Sequence, residues 1–175
     1  MRRPIVGVMG SGSAGHADLA EPLGRFLAGA GCHLLTGGGE GVMASVSRAF
    51  HDVSPRPGLV LGVLPCRDRD PLCRPKSGYP NLWVEVPIRT HLPLSGADGL
   101  NARSRNHVNV LTADIVIALP GGAGTRSEID LAIRYRRPLI AYLRRSDEIP
   151  GLPPEVEWTS SLERIRGFVE SKLTP

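Results

Sequence analysis

The sequence predicts an α/β protein: a doubly wound, mostly parallel sheet in a three-layer α/β/α arrangement. Three observations predict it. Short β-branched apolar runs alternate along the chain with amphipathic segments of helical period. Glycine-rich loops follow three of the apolar runs, after Met9, Thr36 and Leu119, and each leads into a helix. Glycine (21) and proline (16) are plentiful while aromatics are only 5% of residues, which suits many short loops between buried strands. At 175 residues the length fits one domain, spanning 1–175.

The elements follow in order. Pro4 to Met9 reads as a strand that runs into the small-residue loop Gly10-Ser11-Gly12-Ser13-Ala14-Gly15. His16 to Ala30 places Leu19, Leu23, Phe26, Leu27 and Ala30 at spacings of 3 and 4, an amphipathic helix stopped by Gly29 and Gly31. Cys32 to Thr36 is a second strand, and Gly37-Gly38-Gly39-Glu40-Gly41 opens a helix from about Val42 to His51. Leu59 to Leu64 is a third strand, and Pro65 to Pro80 is an irregular loop at its end. Leu82 to Val86 has the composition of a further strand. After a long connection from Pro87 to Gly99, a helix is expected from Leu100 or Asn101, carrying Arg103, Arg105, Asn106 and His107.

Asp114 to Leu119 is a buried strand, followed by Pro120-Gly121-Gly122-Ala123-Gly124-Thr125-Arg126-Ser127-Glu128 and a helix to about Arg136 or Arg137. Pro138 to Leu143 reads as the last strand. A polar, proline-rich segment and a closing helix to about Lys172, capped by Ser160 or Ser161, complete the chain.

The chemistry points to the glycine loops. In a parallel sheet all three converge on the carboxyl edge of the strands, where α/β proteins place their ligands. Glycines remove Cβ atoms where a ligand must approach the backbone. The helix after Gly124 offers free N–H groups and the positive end of its dipole, which attract a phosphate. Ser11, Gly12 and Ser13 of the first loop then belong to the floor of a nucleotide site.

Composition excludes other classes. Net charge is +4, but the charges are scattered and aromatics for base stacking are few, against a nucleic-acid partner. Lys76 and Lys172 are the two lysines among 21 basic residues, so arginine supplies the other 19. Neither lysine is placed for a Schiff base, against a pyridoxal enzyme. Cys66, Cys73 and His91 fit no zinc spacing, so no metal is expected, and the odd cysteine count is consistent with reduced thiols. No apolar stretch reaches the roughly 18–20 residues of a membrane helix, and Met1-Arg2-Arg3-Pro4 leads straight into a strand; the protein reads as cytoplasmic, with no membrane partner.

Pro120 to Glu128 resembles the PGGxGTxxE motif of the Lonely Guy (LOG) family, and Gly37 to Met43 is similar to that family's GGGxxGxM element. Arg105, fifteen residues before Pro120, matches an arginine of the same pattern. The resemblance covers roughly Ile5 to Leu143. Its members are Rossmann-like proteins long labelled lysine decarboxylases, a label the lysine argument also rejects here. The resemblance implies a phosphoribohydrolase that cuts the N-glycosidic bond of a nucleoside 5′-monophosphate, with no cofactor required. Arg105 and Glu128 would be the catalytic pair, and Gly121, Gly122, Gly124 and Thr125 would hold the 5′-phosphate. Gly10, Ser11, Gly12, Ser13, Gly37, Gly38, Gly39 and Asn106 would complete the nucleotide contacts. A fixed carboxylate stabilises the positive charge that builds on the sugar. Glu128, near a helix N-terminus, is expected to stay ionised.

Two departures favour an alternative. LOG proteins commonly carry Arg-Lys where this chain has Arg105-Asn106, and the loop from Cys66 to Pro80 is unusually long. Both bring the chain closer to the molybdenum cofactor carrier proteins, which resemble LOG in fold and bind the cofactor's pterin phosphate without cutting it. The sequence reading leans to the hydrolase, with the carrier as its alternative. A small-molecule nucleotide or pterin phosphate is the expected partner. The family implies a homo-oligomer, dimer or tetramer.

Overall fold

The computed structural model describes residues 2–173; Met1, Thr174 and Pro175, at the ends of the expected span, lie outside the described residues. The first half of the chain forms β1 (Ile5–Met9), α1 (Ala17–Gly29), β2 (His33–Thr36), α2 (Val42–His51), β3 (Val60–Leu64) and β4 (Val86–Arg89). The second half forms α3 (Asn106–Thr112), β5 (Ile115–Ala118), α4 (Ala123–Arg134), β6 (Leu139–Tyr142), β7 (Trp158–Thr159) and α5 (Leu162–Leu173).

The strands make one sheet in the order β4-β3-β2-β1-β5-β6-β7, and every pairing is parallel. The chain winds outward from β1 to β4, returns through α3, and winds outward again from β5. The switch point therefore lies between β1 and β5, where Val8 pairs with Ile117 and Met9 with Ala118. Side-chain alternation builds two cores on the two faces. Val6 and Val8 of β1 with Ile115 and Ile117 of β5 pack under α1, α2 and α5. Val116 of β5 and Leu35 of β2 face the other way, onto Val110 of α3 and Leu131 of α4. Each fully buried Leu, Ile or Val in these layers contributes about 1.5–3 kcal/mol. This is the predicted Rossmann-like three-layer fold.

Three expectations about elements are corrected. Leu82 to Glu85 is not strand. The Asn81 side chain accepts the Trp83 N–H (3.1 Å) and the Asn81 carbonyl accepts the Val84 N–H (3.3 Å), which curls this segment. Leu82 is left 91% exposed, and the strand starts only at Val86. Pro87 is tolerated inside β4 because β4 is an edge strand.

The helix expected from Leu100 or Asn101 begins instead at Asn106. Asn101 Oδ1 accepts the Arg103 N–H (2.9 Å), and the Arg105 N–H is drawn off to the Leu94 carbonyl (3.0 Å), so residues 101–105 turn without entering the helix. Pro138 to Leu143 does not hold the last strand, because β7 pairs beyond it with Ala141 and Tyr142. Two residues of strand within a polar segment carry too little periodicity to be seen locally. Ser161 supplies the closing cap, its Oγ accepting the Arg164 N–H at 3.3 Å.

Candidate functional site

The loops after β1, β2 and β5 meet as expected, and backbone bonds join them. The Ser11 N–H donates to the Pro120 carbonyl (2.9 Å), and the Ser11 carbonyl accepts the Val42 N–H (2.9 Å). Ser11 Oγ also accepts the N–H groups of Ser13 (3.2 Å) and Ala14 (3.0 Å), shaping the first loop. Above this junction lies a cleft of about 290 Å³.

Most of the predicted residues line that cleft. The first loop contributes Gly10, Ser11, Gly12 and Ser13, and the second contributes Gly37. The α4 side brings Gly122, Gly124, Thr125 and Glu128, and the α3 side Arg105 and Asn106. Gly38, Gly39 and Gly121 do not line it. Gly38 donates its N–H to Thr36 Oγ1 (3.0 Å), and a Cβ there would lie 2.5 Å from the Leu64 side chain. Gly39 sits against Tyr79, whose ring atoms would be 2.9 and 3.0 Å from an added Cβ. Gly121 turns toward Glu148, donating its N–H to the Glu148 carbonyl at 3.2 Å.

The N-terminus of α4 leaves its amides open to the cleft. Gly122 takes the N-cap position, no side chain caps the helix, and its first turn holds no acidic residue. The amides of Ala123, Gly124 and Thr125 therefore have no preceding helical acceptor. Thr125 Oγ1 is buried and has no partner among the described residues.

Arg105 is 4% exposed, its guanidinium pressed so closely on Gly37 that any Cβ there would lie 2.3 Å from Nη2. Its Nη1 stands 3.5 Å from Glu128 Oε1, while its Nε has no partner. Glu128 is 7% exposed, and Oε1 also accepts from Asn109 Nδ2 at 3.2 Å. Burial is the largest influence on this carboxyl and pushes it above the ordinary glutamate value; the Arg105 charge and the Asn109 bond hold it back. Burial thus acts against the ionised form expected from the helix position. Glu128 is the sixth residue of α4, beyond the first turn where that field acts, and desolvation outweighs it.

Asn106 spends its amide inside the wall, Nδ2 donating to Ser127 Oγ at 3.1 Å. His107 faces away: its Nδ1 bonds the Tyr135 hydroxyl at 2.6 Å. Several residues of the cleft were not anticipated, namely Val8, Met9, Met43, Tyr79, Ser95 and Gly96. Gly96 belongs to the long connection before α3, and its Cα would be 2.9 Å from a Cβ on Gly124, so the glycine at 124 lets this segment close on α4. Asn109, polar between Val108 and Val110 on a helix, was the readable sign of a buried partner for Glu128.

The model of the SLOG cluster4 family matches residues 3–159. This chain belongs to that family. Among solved structures, the chain is similar to the molybdenum cofactor binding protein of Rippkaea orientalis, at 32% identity over 99% of each chain with a TM-score of 0.77. It is also similar to the molybdenum cofactor carrier protein of Chlamydomonas reinhardtii, at 26% identity over 99% of this chain and 100% of that one, with a TM-score of 0.72. An uncharacterized protein of Archaeoglobus fulgidus is 30% identical over 136 residues, 77% of this chain and 76% of that protein. The family and these neighbours agree with the LOG and cofactor-carrier superfamily expected from the motifs.

Proposed function

We propose that this chain binds a pterin phosphate of the molybdenum cofactor type in the cleft between β1 and β5 and holds it without cutting it. The observation that carries the reading is the set of unpaired donors gathered at one cleft: the uncapped first turn of α4, Thr125 Oγ1 and Arg105 Nε. Buried polar groups are ordinarily paired, and a phosphate ester supplies the missing acceptors. The donors fit the phosphate end of such a cargo. Whole-length similarity to proteins named for binding or carrying the molybdenum cofactor supports the pterin end.

Two features favour holding over cutting. Burial raises the Glu128 pKa, which opposes the charged carboxylate that stabilising a sugar cation needs. Asn106 stands where the LOG pattern commonly has a second cation, and its amide is committed to Ser127.

The phosphoribohydrolase remains the second reading, favoured by the Arg105–Glu128 pair at the cleft wall. One experiment separates them. The purified protein is mixed anaerobically with cofactor released from a molybdoenzyme, and in parallel with AMP and other nucleoside monophosphates. The carrier reading expects saturable binding of the cofactor and no free base. Base release that disappears in Glu128→Gln would establish the hydrolase instead.

A further inference from the structure

Tyr79 lies in the loop between β3 and β4, which neither the phosphate grip nor the Arg105–Glu128 pair explains. It is the one aromatic side chain lining the cleft among the described residues, and it is half-buried. Its ring rests on the backbone of Gly39, so close that a Cβ at that position would lie 2.9–3.0 Å from two ring atoms. Met43, also lining the cleft, brings its methyl group to 3.0 Å from the same point. The ring is thus backed by protein, while Tyr79 still borders the cleft. Its hydroxyl has no hydrogen-bond partner among the described residues.

Asn81 ties the part of the loop next to Tyr79 to the Gly38–Gly39 backbone. Asn81 is 5% exposed. Its Nδ2 donates to the Gly39 carbonyl at 2.8 Å and its N–H to the Gly38 carbonyl at 2.7 Å. The Tyr79 N–H is turned inward onto the Lys76 carbonyl at 3.2 Å. The glycine at 39, which does not line the cleft itself, is what lets the Tyr79 ring come so close. Tyr79 borders the same cleft as the uncapped end of α4.

We propose that Tyr79 is the platform on which the flat heteroaromatic end of the ligand stacks, with Asn81 as the residue that positions it. The inference rests on the pterin-phosphate reading of the cleft and adds the residues that recognise the ring end of the ligand. An aromatic ring backed by Gly39 and Met43 offers a stacking surface that tolerates any such heterocycle, while the phosphate is fixed at α4.

The test compares binding of ribose 5-phosphate, AMP and a pterin monophosphate by calorimetry. The wild type is expected to bind the two ring-bearing esters more tightly than ribose 5-phosphate. Tyr79→Ala should weaken the ring-bearing esters roughly tenfold or more and leave ribose 5-phosphate within about twofold. Tyr79→Phe should retain the preference. Tyr79→Trp should add an indole fluorescence signal quenched by the ring-bearing esters and not by ribose 5-phosphate. Asn81→Ala should lose the same preference with Tyr79 intact. An equal loss for all three ligands in Tyr79→Ala, or no loss for any, overturns the platform and leaves the phosphate grip standing. Failure of the wild type to bind any of the three overturns both.

Discussion

The loops after β2 and β5 look alike in sequence, yet they do different work. Gly37-Gly38-Gly39-Glu40-Gly41 is a joint between parts of the protein. Added Cβ atoms would meet Arg105 at Gly37, Leu64 at Gly38, Tyr79 at Gly39 and the Ser11 carbonyl at Gly41. Gly121-Gly122-Ala123-Gly124 is partly open. A Cβ on Gly122 would touch nothing within 4 Å, and Gly122 lines the cleft. A run of glycines therefore signals close approach, and only the fold says whether the approaching body is protein or ligand.

The largest effect expected from this contrast is at Gly41. It has φ of +66°, and a Cβ would lie 2.3 Å from the Ser11 carbonyl oxygen. Gly41→Ala should cost about 2–4 kcal/mol in chemical denaturation. Gly122→Ala should stay within about 0.5 kcal/mol of wild type and instead weaken phosphate-ester binding. Equal stability losses for the two variants would break the comparison.

Arg105→Ala comes next. Removing one partner of a buried pair leaves Glu128 unmatched, and the 3.5 Å separation keeps the cost to about 2–3 kcal/mol. Cofactor binding should fall with it, because an unpaired donor of the grip is lost. Binding at wild-type strength in a folded Arg105→Ala protein would remove Arg105 from the site.

A smaller change is expected at the wall between α3 and α4. Ser127 Oγ accepts from Asn106 Nδ2 and donates to the Gly124 carbonyl at 2.7 Å. Ser127→Ala should cost about 1–2 kcal/mol, since Asn106 Nδ2 is left buried and unpaired. A similar loss in ligand affinity would show that this wall also sets the position of α4.

The last effect is sized by pH. A carboxyl whose folded pKa is raised contributes stability that is complete below the unfolded pKa and is lost as pH rises through the folded value. Glu128 is such a group. Glu128→Gln mimics the neutral acid, so its stability relative to wild type should be near zero around pH 4 and rise toward pH 8. A difference that runs the other way would mean that Arg105 overrides desolvation, and would sharpen the case for a charged, catalytic Glu128.

Much of this molecule was legible before its structure. The helix from Val42 to His51 matched residue for residue, because apolar spacing and the flanking glycines and prolines are local signals. The loops after β1, β2 and β5 were placed together because parallel strands put all their carboxyl ends on one edge. Arg105 and Glu128 are paired by the resemblance to the LOG motif, and they do meet.

What stayed hidden depends on contacts between distant segments. Nothing near Asn81 in the chain announces that it docks on Gly38 and Gly39, some forty residues earlier, or that this brings Tyr79 to the cleft. Local apolar composition favoured a strand at Leu82 to Glu85, and the Asn81 turn overrode it. The environment of Glu128 was also beyond the sequence, which suggested an ionised carboxylate, since a helix position fixes the dipole but not the water. Desolvation comes from everything packed around the carboxylate, and only the closed tertiary structure supplies that environment.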